Sequence, residues 1–273
     1  MLALLLAACQ STNRLREAQD SFNAAAALEN SAQLEPLFGK PGLEAQLQKP
    51  AQNALADLST ARSGYAAALL SLKRIAGKDL DQLKADKLWG AALALQALTE
   101  WRLGKYDDAL HTADDAASKA GDQLYPRDAA VLTALPGLIK IDLAYDRIAA
   151  MTNGSPANSN LLTEVARRLV GVPGEKDESA VKDLQEARKK AGPTHPVNLY
   201  LMQAQLAAFR NYQVAFKRTH DANPDSNDPA KKEAQNNLFE LQDLLKKLAA
   251  GPAGDSIVSS WKDAYNIIPI QRQ

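Results

Sequence analysis

Among the groups in this 273-residue chain able to act as ligands, bases or nucleophiles are three histidines, one cysteine and 32 acidic side chains. Asp107 and Asp115 stand four residues before and after His111, so on a helix the three share one face and could hold a cation or a titrating pair. A structural metal site takes four ligands, and no His-Glu-x-x-His spacing supplies the rest. A solvated face with weak ion pairs is therefore the expectation for His111, with no metal and no cofactor. His195 falls in Pro193-Thr194-His195-Pro196, a turn leading into a helix, and His220 falls at a helix end, where a positive charge suits the carbonyl dipole. The neighbouring carboxylates Asp107-Asp108 and Asp114-Asp115 project in different directions on a helix and cannot flank one bond. No Gly-x-Ser-x-Gly, phosphate loop or dinucleotide fingerprint occurs. Catalysis needs a convergent base, nucleophile or metal, and the expectation is a protein without catalytic residues.

The remaining reactive group is Cys9. It ends an uncharged apolar run, Met1-Leu2-Ala3-Leu4-Leu5-Leu6-Ala7-Ala8, and polar residues follow at once from Gln10 to Arg14. Eight apolar residues fall far short of the roughly 20 that cross a bilayer as a helix, whereas an apolar run closed by small residues is the form of an export signal. A thiolate is also the best side-chain nucleophile for making a thioether. Leu6-Ala7-Ala8-Cys9 resembles the lipobox of bacterial lipoproteins. That resemblance implies that the thiol is diacylated, the peptide bond before it is cut, and the new amino terminus is acylated. Two or more chains make a stable anchor where one does not. In the family's sorting rule an Asp after the cysteine retains the protein in the inner membrane, so Gln10 implies a periplasm-facing outer-membrane protein. On this reading 1–8 is a signal-peptide remnant, 9–14 the lipidated end with a short linker, and 15–273 one helical domain. With no second cysteine, that domain holds together by packing alone.

The elements behind these residues read as helices throughout. Hydrophobic residues make up 46% of the chain and aromatics only 5%, so the core is mainly aliphatic. Lys+Arg and Asp+Glu are both 32, which removes the net field that gathers nucleic acid. Ala, Leu, Gln, Lys and Glu lose little rotamer freedom in a helix, and they dominate 15–28, 51–75, 81–103, 106–119, 127–150, 160–170, 178–191, 197–219, 229–249 and 255–266. Gly and Pro clusters separate these spans, and Asn153-Gly154-Ser155 reads as one such turn. Asn160, Asp177 and Asp228 suit N-caps or near-caps, and Pro126 and Pro229 suit first turns. Pro136-Gly137, inside an apolar helical pattern, is expected to kink or break its helix near Leu135.

A pattern of small, aromatic and small residues at spacings of four and three recurs as Ala18-Phe22-Ala25, Ala61-Tyr65-Ala68 and Ala208-Tyr212-Ala215, and without its ring as Ala109-Ala113-Ala116. Small residues let a neighbouring helix approach while the ring fills the space between. The stretch from Trp101 to Leu110, with Gly104, Tyr106 and Ala109 on signature positions, resembles the turn between the two helices of a tetratricopeptide repeat. The spacings between copies, 43 and 48, depart from that family's period of 34. The fold expected is all-α: an array of antiparallel helical hairpins, as an α-solenoid or an irregular bundle. Of the tryptophans, Trp89 is expected in the core, Trp101 is a candidate anchor for a partner, and Trp261 is undecided. The implied function is a membrane-anchored adaptor or assembly factor binding an envelope protein. The alternative is a small-molecule carrier partnering a transporter, with a pocket opened by Pro136-Gly137.

Overall fold

Long runs of straight-chain and small residues favour helices, and every regular element among the described residues is helical. The computed structural model describes residues 12–28, 52–152, 159–171 and 179–191, and beyond them 195, 197, 198, 200, 201, 204, 205, 208 and 211. Helix α1 covers 12–28, followed by α2 (Gln52–Lys73), α3 (Lys78–Ala85), α4 (Trp89–Arg102) and α5 (Tyr106–Lys119). A 3-10 turn, Gly121–Gln123, leads to α6 (Pro126–Thr152), α7 (Ser159–Val170) and α8 (Ala180–Lys190). Where the sequence reads as one domain over 15–273, the chain divides into two compact units, Met1–Glu35 with Lys49–Leu135 and Pro36–Gln48 with Pro136–Gln273.

In the first unit the small-aromatic-small pattern does the work its spacing suggests. Ala18 and Ala25 of α1 and Ala61 and Ala68 of α2 are buried, and the rings of Phe22 and Tyr65 meet at 5.2 Å between centroids, tilted by 58°. A Cβ added to Gly64 would lie 3.0 Å from that of Ala25, so the two backbones run close together there. Ala18 shares a cluster with Ala68, Leu72 and Ile75, and Ala25 shares one with Ala61 and Tyr65. The pairing is therefore antiparallel. Arg14 closes its end, donating to the Asp79 carboxylate at 2.8 Å and to the Arg74 carbonyl. Leu72 packs in one cluster with Ala92, and Tyr65 in another with Leu103, so α4 runs antiparallel to α2.

One expected helix, 81–103, is two. It stops at Ala85 and restarts at Trp89, with Lys87 in the left-handed region at φ 57°. The Leu88 N–H donates to the Leu83 carbonyl at 2.9 Å and the Lys87 N–H to that of Lys84 at 3.2 Å, the two bonds of a Schellman ending. Leu88 also packs against the cluster containing Leu83, supplying the apolar contact that accompanies this motif. Glycine usually fills the left-handed position, and a lysine there hides the stop from sequence reading.

Of the kink or break expected at Pro136, the break does not occur, since α6 is continuous from Pro126 to Thr152. Pro126 opens that helix, where its missing N–H costs nothing. In the second unit Gly137 meets the start of α8: a Cβ there would fall 2.8 Å from the Ala180 carbonyl oxygen and 3.0 Å from Leu184 Cγ. Lys140 and Asp183 join the same two helices at 2.7 Å. Gly137 thus serves a close approach of α6 and α8. The cap of α8 is Ser179, whose hydroxyl accepts from the Lys182 N–H at 3.2 Å. Asn160 lies inside α7, while Asp177, Asp228 and Pro229 lie outside the described residues. The apolar stripe Leu161, Leu162, Val165, Ala166 and Leu169 of α7 is buried, as are Ala180, Val181, Leu184 and Ala187 of α8, which packs against α7.

Candidate functional site

Helices α4 and α5 form a hairpin through residues 103–105. Gly104 is the left-handed residue ending α4, at φ 73°. Its N–H donates to the Trp101 carbonyl at 2.9 Å, and that of Lys105 to the Glu100 carbonyl at 2.9 Å. Tyr106 begins α5, and Ala109 is buried with Ala113 and Ala116 along one stripe of that helix. At the far end of the hairpin a Cβ on Gly90 would lie 2.8 Å from the backbone of Gln123. The first turn of α4 therefore rests on the turn after α5, and the two helices are antiparallel. Gly104, Tyr106 and Ala109 sit respectively at the turn, the helix start and the interface.

Sequence reading missed a buried carboxylate in this hairpin. Glu100 is only 2% exposed, and its Oε2 accepts from the Thr112 hydroxyl of α5 at 2.7 Å while Oε1 accepts from Gln96 Nε2 at 2.9 Å. A carboxylate taken from water costs several kcal/mol unless donors replace the water, and here they come from both helices. The group acts as a clamp across the hairpin. Nothing in the segment Leu98-Thr99-Glu100-Trp101 marks it, because Glu is common on exposed helix faces.

The expectation that Trp101 anchors a partner is corrected by its burial at 4% exposure. The Arg102 guanidinium lies 4.0 Å from the centre of its ring, a cation–π contact that covers the indole further. Trp89, assigned to the core, is half-buried at the first turn of α4 and packs against the core cluster of Leu72 and Leu83. A helix packed on most of its sides, as α4 is, buries a ring near its end as readily as one in its middle.

His111 and Asp107 are exposed on α5, and Lys119 reaches Asp115 at 2.8 Å. The Lys119 hydrogen bond holds the Asp115 carboxyl below the usual carboxylate range, with a smaller attraction from His111. Lys189 does the same for Glu186 on α8. Among the described residues no group of three or more His, Cys, Asp or Glu side chains is arranged to hold a metal ion. His195 is buried and heads a helical stretch, its Nδ1 accepting from the Val197 N–H at 3.1 Å and its carbonyl from the Asn198 N–H at 3.0 Å. An accepting Nδ1 carries no proton, so this imidazole acts as an N-cap. Cys9, Trp261 and His220 lie outside the described residues, as do Tyr212 and Ala215; Ala208 is buried. No helix among the described residues is long and apolar enough to cross a membrane.

No family model, curated protein or solved structure matches the chain. Among the described residues every regular element is helical, and α1 with α2, α2 with α4, and α4 with α5 pair antiparallel.

Proposed function

We propose that this chain is a lipid-anchored, non-catalytic helical-repeat protein of the bacterial envelope that binds another protein as an adaptor or assembly factor. The single observation that carries the binding reading is the antiparallel stacking of α1, α2, α4 and α5 through small buried residues, with a glycine turn at residue 104. Stacked hairpins of this kind, as in tetratricopeptide arrays, expose continuous helical surface on which peptides and helices dock. The lipobox-like Leu6-Ala7-Ala8-Cys9 supplies the address. Acylation confines the module to a membrane and raises its effective concentration toward partners in the same plane. The polar groups with defined partners, Glu100 with Thr112 and His195 with Val197, brace helices and supply no convergent catalytic set. A carrier would need an interior cavity beside Pro136, and against that reading the α6 face at Gly137 is occupied by α8.

The test is in-cell photocrosslinking in the native host from exposed positions on α5, at Asp108, His111 and Asp114. The adaptor reading expects one envelope protein crosslinked by the wild-type chain and lost with Cys9→Ser. A small-molecule ligand co-purifying with the chain, with no crosslinked protein, contradicts it.

A further inference from the structure

One corner of the first unit, the start of α1 with the end of α2 and α3, is basic although the chain as a whole is neutral; the turn from α5 to α6, at the same end beyond α4, adds Lys119 and Arg127 against Asp115, Asp122 and Asp128. Residues 12–17 and 73–87 hold seven cations and four anions. The antiparallel pairing of α1 and α2 brings the two stretches together, and Arg14 ties them by bonding both the Arg74 carbonyl and Asp79. That ion pair leaves Arg16, Lys73, Arg74, Lys78, Lys84 and Lys87 exposed, against Glu17, Asp81 and Asp86. The opposite end of the unit, around the turn from α4 to α5, carries Lys105 beside Asp107 and Asp108.

The length of the tether gives this asymmetry a partner. Helix α1 is under way by Thr12, and three Cα steps of about 3.8 Å put that residue at most about 11 Å from Cys9. A chain acylated at Cys9 holds its basic corner at the headgroups, close to the Debye length of about 8 Å at physiological salt. Cations held there are attracted to anionic lipid, each strengthening association about five-fold. We infer that the corner of the first unit formed by the start of α1, the end of α2 and α3 is a membrane-facing surface that binds the phosphate groups of anionic lipids. It sets the orientation of the hairpins, with the α4–α5 turn directed away from the bilayer. This rests on the anchor at Cys9, and the surface and the anchor can be tested apart.

Cys9 is the sole cysteine, so the unacylated full-length chain couples to a maleimide lipid in vesicles at that position whether or not the native host acylates it. Amine labelling read by mass spectrometry then reports which lysines the bilayer covers. On vesicles containing phosphatidylglycerol, labelling of Lys73, Lys78, Lys84 and Lys87 is expected to fall several-fold relative to phosphatidylcholine vesicles, while Lys105 is labelled equally on both. In the variant Lys73→Glu/Lys78→Glu/Lys87→Glu, whose helical circular dichroism is checked first, the protection of Lys84 is lost. Equal labelling of the wild-type lysines on the two kinds of vesicle overturns the surface. Protection in this assay alongside an unmodified native Cys9 overturns the anchor and supports the surface.

Discussion

Gly90→Ala tests the hairpin at its tightest point. The added Cβ would stand 2.8 Å from both the carbonyl carbon and the oxygen of Gln123 and 3.0 Å from the Leu124 nitrogen. All three are backbone atoms in a turn held by the Gln123 N–H on the Ala120 carbonyl at 2.9 Å, so no side chain can swing aside. Relief requires the turn to move away from α4 by roughly half an ångström or more, an overpacking that costs about 1–3 kcal/mol. Replacing glycine in a helix returns up to about 1 kcal/mol of propensity, less at this first-turn position. The net is a loss of about 1–2 kcal/mol, or about 2–8 °C in Tm at roughly 2–4 °C per kcal/mol for a chain of this size class. Thermal unfolding followed by far-ultraviolet circular dichroism reads it. Gly121→Ala is the control, because nothing lies within 4 Å of the Cβ it would gain. A Gly90→Ala chain as stable as wild type would refute the close approach, and with it the antiparallel pairing of α4 and α5.

Three further outcomes follow from the same geometry. Lys87→Gly relieves a left-handed backbone and should raise stability by about 1 kcal/mol in urea denaturation; a loss would contradict the Schellman ending. Thr112→Val removes the α5 donor to Glu100 and should cost about 1–3 kcal/mol, with Thr112→Ser recovering most of it; a Thr112→Val chain as stable as wild type, with the loss confined to Thr112→Ser, would show that the methyl group matters and the bond does not. Lys119→Met should raise the Asp115 carboxyl toward its ordinary range in an NMR titration, because the Lys119 hydrogen bond is the first cause of its depression. A carboxyl held low in the fold contributes stability above its unfolded range and loses it as pH falls through the lowered value, so an unmoved titration in the variant would remove Lys119 as the cause.

The extent of the helices was legible because their signals are local. Ala, Leu and Lys composition and the three-and-four spacing locate α2, α5 and α6 within a few residues, and Pro126 marks a start. The small-aromatic-small copies at Ala18 and Ala61 were legible as close-packing stripes, although that the two copies meet each other is a tertiary fact. Misreadings occur where a residue works against its type. Lys87 takes a glycine's backbone angle, and Pro136 is carried within a helix that it does not break; Ser179 is a favoured cap type that sequence reading misses because Lys182 stands where a capping box has an acid. The burial of Trp101 and Glu100 depends on α4 being covered on most of its sides. A sequence shows the width of an apolar stripe but not how many neighbours a helix has. The His111 face was legible as spacing, but Lys119, one turn beyond Asp115, decides what that face does.

The central claim is a hairpin protein held at a membrane through Cys9, and the mass of the N-terminal peptide of the chain purified from its native membrane tests it most directly. The account predicts a first residue of Cys9 carrying a thioether-linked diacylglyceryl group and an acylated amine. A peptide that still includes Met1 to Ala8, or a Cys9 with a free thiol, contradicts it.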